Sequence, residues 1–206
     1  WVLLFLMSTI VSFGQKAKPV FEVVPLGVYG GIDERNLSAY LVAPIGTKEY
    51  VCLDAGTVHS GIEKAIEKGT FSVPSSTVLR QYIKGYCISH AHLDHVSGLI
   101  INSPADSTKT VYAIAPAMKM MQNHYFNDQT WANFGDEGLG KPLKKYHFET
   151  LSFGKTIPIS NTSMTVQAFP LSHVNPYEST AFLIKKDNNA ILYLGDTGPD
   201  EIGRAS

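Results

Sequence analysis

The stretch His90-Ala91-His92-Leu93-Asp94-His95 places four metal-competent side chains within six residues. The apolar run before it, Tyr86-Cys87-Ile88-Ser89, reads as a short buried strand. The run after it, Val96-Ser97-Gly98-Leu99-Ile100-Ile101, reads as a helix. The cluster therefore lies where a strand gives way to a helix. Alternation in an extended segment sends His90, His92 and Asp94 to one side. The turn into the helix then brings His95 beside Asp94. Any one of these histidines alone is an ordinary loop residue. Three with an aspartate at this spacing are a metal cluster, with donors enough for two neighbouring ions. Imidazole and carboxylate together suit zinc and similar first-row metals.

Working outward, the 206 residues are 44% hydrophobic and 17% charged, with a formal net charge of -1. That is enough chain to bury a sizeable core as one domain or two halves of one. No basic excess points to a nucleic-acid polymer, and no acidic block points to a solvating tail. Cys52 and Cys87 both fall in apolar strand-like runs and are expected to be buried free thiols, outside the ligand set. His59 and His147 match no pattern and are expected at the surface.

Residue 1 is tryptophan, and Glu201 to Ser206 reads as the opening of a further segment. The chain is accordingly expected to be a fragment cut at both ends. Trp1 to Phe13 is apolar and turns polar at Gln15-Lys16. It is short for a bilayer span, and matches the apolar core and small-residue exit of a signal peptide over residues 1–15. Export to a bacterial periplasm, with no membrane association after removal of the leader, is the corresponding expectation. A catalytic domain is expected over 20–206.

Strands are expected at Val20–Val28, Ser38–Pro44 and Tyr50–Asp54, the last two as a hairpin. Helices are expected over Ser60–Lys68, on a stretch carrying Val78, Leu79, Tyr82 and Ile83, and from Pro116 to about Tyr125. Further strands are expected at Thr110–Ala115, Phe148–Phe153, Met164–Phe169, Ala181–Lys185 and Ala190–Leu194. Residues 127–145 have no clean period and read as a long loop, of a kind that is often functional. The pattern is a mixed α/β sandwich with helices covering the sheet faces.

Two more strands end on ligand-type residues. Thr165–Leu171 leads into Ser172-His173, and Ile191–Leu194 leads into Gly195-Asp196-Thr197-Gly198. In α/β proteins sites gather at such strand ends. Glycine before Asp196 and after Thr197 allows a sharp turn and close backbone approach.

His-x-His-x-Asp-His, a downstream histidine and a strand-ending aspartate together resemble the metallo-β-lactamase superfamily. Leu53-Asp54-Ala55-Gly56 is similar to its first motif. The continuation Val96-Ser97-Gly98-Leu99-Ile100-Ile101-Asn102-Ser103-Pro104 resembles, more narrowly, the class II cyclic-nucleotide phosphodiesterases. So do the aromatic, asparagine-bearing segments His124-Tyr125-Phe126-Asn127 and Trp131-Ala132-Asn133-Phe134. The resemblance implies an αββα sandwich, here truncated at the C-terminus, and two divalent ions, zinc or alternatively manganese. It implies His90, His92 and His173 on one ion, Asp94 and His95 on the other, and Asp196 bridging. A further histidine expected on the second ion has no counterpart after His173. Asp54 is implied to be a structural residue beneath the site.

The implied reaction is hydrolysis of a cyclic 3′,5′-nucleotide, cyclic AMP or cyclic GMP, to the 5′-nucleotide by a metal-bridging hydroxide, with Asp94 orienting it and taking a proton. His124, Asn127, Trp131 and Asn133 are the candidate substrate contacts. Tyr125, Phe126 and Trp131 serve either as a stacking platform for the base or as core. The rival readings are another hydrolase of the same fold (nuclease, lactamase or thioesterase) and a non-catalytic binding protein.

Overall fold

The computed structural model describes residues 18–174 and 178–198. The leader expected over residues 1–15 lies outside the described residues. No described helix is long and apolar enough to cross a membrane.

A six-stranded sheet runs in the order β1 (Phe21–Gly27), β2 (Ala39–Pro44), β3 (Tyr50–Leu53), β4 (Ile83–Cys87), β5 (Lys109–Ile114), β6 (Tyr146–Leu151). β1, β2 and β3 pair antiparallel, and the expected β2–β3 hairpin is present with Tyr40 opposite Leu53. β3 to β6 pair parallel. Their crossovers contain α1 (His59–Glu67) and α2 (Ser75–Thr77), then α3 (Leu93–Asn102), then α4 (Ala115–His124). Every residue of β3 and β5 is buried. This is why they read as unbroken apolar runs and not as alternating ones. A second, antiparallel sheet holds β7 (Thr156–Pro158), β8 (Thr165–Ser172), β9 (Glu178–Lys186) and β10 (Asn189–Leu194), in the order β10-β9-β8-β7. Ala168 and Phe182, which pair across β8 and β9, are fully buried in the core with Val166 and Ile184.

One expectation shifts. The segment expected as one helix through Ile83 is α2 followed by a π-turn at Val78–Tyr82, and Ile83 already pairs with Tyr50 as the first residue of β4. Helices cover the faces of the six-stranded sheet among the described residues. α1 packs on β1, and α4 on β5 and β6. On the four-stranded sheet Phe169, Leu192 and Leu194 are exposed. Cys52 and Cys87 are buried and unpaired, as expected.

The end of the sheet away from the histidines is fixed by a buried carboxylate. Asp106 accepts hydrogen bonds from Tyr86 on β4 (2.7 Å) and Tyr146 on β6 (2.9 Å), and pairs with Lys109 of β5. Burial and the Asp106 charge push both tyrosine hydroxyls far above their ordinary pKa, so they stay protonated donors.

At the other end α3 lies directly on the turn after β3. Leu99 N–H donates to the carbonyl of Ala55, and Ala55 N–H to that of His95. The approach depends on Gly98. A Cβ there would lie 2.7 Å from the Ala55 oxygen and 2.8 Å from the Gly56 oxygen. On helix propensity alone Gly98→Ala would stabilise by about 1 kcal/mol. Overpacking instead costs about 1–3 kcal/mol. A lower urea midpoint for Gly98→Ala is therefore expected; a raised midpoint would show that α3 does not sit this close.

Candidate metal centre

Chain ends from both sheets meet at one edge. β3 ends at Leu53 and delivers Asp54. β4 ends at Cys87, two residues before Ser89 and three before His90. β8 ends at Ser172 beside His173, and β10 ends at Leu194 before Asp196. Gly195 allows the close approach expected of it, since a Cβ would fall 2.6 Å from the Cβ of Ser89. Gly198 N–H donates to the Ser172 carbonyl at 2.7 Å, tying the Asp196 turn to the His173 strand.

Asp54 is the hub. It is fully buried, with a positive φ of 52°. Its Oδ1 accepts from Ser89 N–H at 2.7 Å. Its Oδ2 accepts from the Ser89 hydroxyl (2.8 Å) and the Tyr193 hydroxyl (2.6 Å), and lies 2.6 Å from His95 Nδ1. A buried carboxylate needs such donors. Burial and the nearby Asp54 charge push the Tyr193 pKa far up, which keeps it a donor. With Nδ1 engaged, His95 turns Nε2 towards the cluster, 3.4 Å from Asp196 Oδ1 and 3.5 Å from Asp94 Oδ2.

Two triads have donor atoms within 4.8 Å of one another: His90, His92 and His173; and His90, His95 and Asp196. The first is the set expected on one ion. In the second, His90 joins His95 and Asp196 where Asp94 was expected. Asp94 lies on the first turn of α3, not in an extended segment, with His92 as the N-cap. Its Oδ2 accepts from Gly31 N–H at 2.9 Å. It faces the cluster from the side, beside His95.

The donors fit a cation. His95 Nε2 and His173 Nε2 are buried and have no hydrogen-bond partner, a condition proteins rarely leave without a reason. His90 Nε2 and His92 Nδ1 converge to 3.0 Å. Burial, with neighbouring His95, His92 and His173, depresses His90 to about pKa 3. Burial and His173 also lower His92. Both imidazoles are therefore neutral near pH 7, the form that ligates. For His95, burial acts downward but is outweighed by Asp54, Asp196 and Asp94, and its pKa is raised.

These features place the chain among known proteins. The family model described as "cAMP phosphodiesterases class-II" matches residues 20–206. This chain belongs to that family. A 3′,5′-cyclic-nucleotide phosphodiesterase from Aliivibrio fischeri is 42% identical over 98% of this chain and 64% of its own length. The chain thus spans about three-fifths of the length of the curated relatives it matches. The crystal structure of unliganded yeast PDE1 superposes with a TM-score of 0.77 at 20% identity, over 88% of this chain and 66% of that one. The metallo-β-lactamase fold protein YhfI from Bacillus subtilis gives 0.62 at 16% identity, over 88% and 64%. The fold is the metallo-β-lactamase fold.

The candidate substrate residues part company. His124 lines a cavity beside His90 and His92. Asn127, Trp131 and Asn133 do not. Asn127 Oδ1 accepts from Gln129 and Thr130 N–H, and buried Asn133 bonds Glu137, Leu139 and Gly135. Trp131 Nε1 donates to the Ser103 hydroxyl. These residues hold the 127–145 loop in shape. Phe126 is core, and Tyr125 donates to the Ala91 carbonyl within the cluster loop. His59 and His147 are exposed, as expected. Sequence reasoning missed Ser89, Gly31 and Tyr193. Strand alternation carries a signal for Tyr193, which points inward with Ile191.

Asp54→Asn keeps the shape and removes the charge that orients His95. Second-layer changes of this kind typically cost about 10–100-fold in metal affinity. Zinc titration against a competing chelator is expected to show a loss in that range. A lower melting temperature with unchanged affinity would make Asp54 structural only.

Proposed function

We propose that the full-length protein hydrolyses cyclic 3′,5′-nucleotides to 5′-nucleotides at this cluster. The observation that carries the reading is the pair of ligand triads sharing His90, in a chain of the class II family. The Aliivibrio fischeri relative bears the name of this activity.

His90, His92 and His173 would hold one cation, and His95, Asp196 and Asp94 would hold the second with help from His90. Two divalent ions, zinc or manganese, would supply Lewis-acid activation of water and neutralise charge on the phosphate. Asp54 holds His95 in the tautomer that leaves Nε2 facing the cluster. Asp94 is the carboxylate that takes the proton from the attacking water, and Gly31 N–H sets its orientation through Oδ2. Water's oxygen bonds to phosphorus as the P–O3′ bond breaks, and the 3′ oxygen leaves as a hydroxyl once protonated. The product is the 5′-phosphate monoester. Export to a periplasm belongs to the same proposal and rests on the apolar leader of residues 1–15 alone.

The test is an assay of the full-length protein with zinc or manganese on cyclic AMP, cyclic GMP, a generic phosphodiester and a β-lactam. Turnover of a cyclic nucleotide is expected. Turnover of the lactam with neither cyclic nucleotide would overturn the reading. His92→Ala is expected to lower bound metal, measured by elemental analysis, and to lower cyclic-nucleotide turnover about a hundredfold or more, the scale on which positioned catalytic groups act. Unchanged metal content would remove His92 from the ligand set.

A further inference from the structure

A cavity of about 450 Å³ opens beside His90 and His92, walled by α4 on one side and reaching Glu178 at the start of β9. Its volume lies in the range of small-molecule sites. On α4, Ala117, Met118 and Met121 are buried. Pro116, Met120 and Asn123, spaced for one helical face, line the cavity, with Ala117 and Lys119 beside them. Met120 is 40% exposed although two methionines of the same helix are in the core. The Asn123 carbonyl accepts from Asn127 Nδ2, while its carboxamide makes no hydrogen bond among the described residues.

We infer that this cavity is the nucleoside subsite, with Met120 and Asn123 setting base recognition; the inference rests on the phosphodiesterase reading above. The phosphate end is fixed at the histidines, so the nucleoside must extend along a neighbouring wall. Pro116 and Met120 provide a flat apolar surface, and a thioether packs favourably against an aromatic ring. An asparagine carboxamide both donates and accepts, which matches N7 and the exocyclic amine of adenine in one pairing. The Glu178 carboxylate can accept from the ribose 2′-hydroxyl, as acidic residues do in other nucleotide sites. His124 stands at the far end of the same helix. Base recognition thereby passes from the loop asparagines 127 and 133 to the helix residue Asn123.

The experiment compares full-length wild type with Met120→Ala and Asn123→Ala on cyclic AMP and on bis(4-nitrophenyl) phosphate, a diester without base or ribose. In each variant the ratio of kcat/KM for cyclic AMP to that for the baseless diester is expected to fall about tenfold, the worth of one good base contact. The change should appear in KM for cyclic AMP more than in kcat. A second readout avoids turnover: calorimetry of 5′-AMP against ribose 5-phosphate, neither of which is turned over, on the zinc-loaded full-length protein. The preference for 5′-AMP should narrow by a similar factor in Asn123→Ala. If wild type hydrolyses cyclic AMP and both variants keep the ratio, the subsite is wrong and the phosphodiesterase reading stands. If wild type hydrolyses the baseless diester but no cyclic nucleotide, both fall together.

Discussion

The structure depends on one buried charge. Asp54 carries its carboxylate to a fully buried position at the end of β3. Left without donors there, a carboxylate would cost several kcal/mol. Its donors come from distant parts of the chain: Ser89 beyond β4, His95 on α3, and Tyr193 on β10 in the other sheet. Satisfying Asp54 therefore docks a helix and a second sheet onto the first. The orientation of His95 is a by-product of folding. Asp106, at the opposite end, makes an instructive contrast. It too is buried, but its partners are Lys109, two sheet tyrosines and the neighbouring Ser107 N–H, none of which faces the cluster. Asp54 shares its hydrogen bonds with a histidine whose other nitrogen faces the cluster. That difference separates a structural carboxylate from one that sets up a site.

The cluster itself works against stability. Imidazole rings of His90 and His95 stand with centroids 4.2 Å apart, and those of His90 and His92 4.5 Å. Protonating one penalises the others, so His90 and His92 stay neutral. Within the same cluster His95 Nε2 and His173 Nε2 are buried with no hydrogen-bond partner among the described residues. Each unsatisfied buried group costs about 1–3 kcal/mol. Folds violate the rule of satisfied polar groups chiefly where function requires it.

The legible parts of the sequence were those whose partners lie close along the chain. Four donors in six residues announce a metal cluster without any fold. Fully buried β3 and β5 read as strands because both faces are covered. His173 and Asp196 were readable because each follows an apolar run that had to end. Tyr193 was not, because its meaning is a contact 139 residues away, to Asp54. β7 escaped for a different reason: it is a three-residue edge strand ending in proline, too short for a period and lacking a donor. The loop at 127–145 shows a different ambiguity. Its asparagines looked like ligand contacts, yet polar side chains are also how an aperiodic loop satisfies its own backbone. Sequence alone cannot separate these uses; hydrogen-bond partners can.

The two halves of the cluster are chemically unequal. The first triad is three imidazoles, of which His90 and His92 are held neutral by their surroundings. Three imidazoles make the softer donor set. The second joins two imidazoles, His90 and His95, to Asp196, whose side chain is 43% exposed, with Asp94 close by. Its carboxylate oxygens make it the harder donor set. His90 belongs to both triads, so its ring orientation is set by whichever demand is stronger. Ser89 bears on that balance, since its hydroxyl donates to Asp54 and lies 3.0 Å from His90 Nδ1. The same buried carboxylate that aims His95 thus reaches His90 through one serine, and both triads inherit their geometry from Asp54.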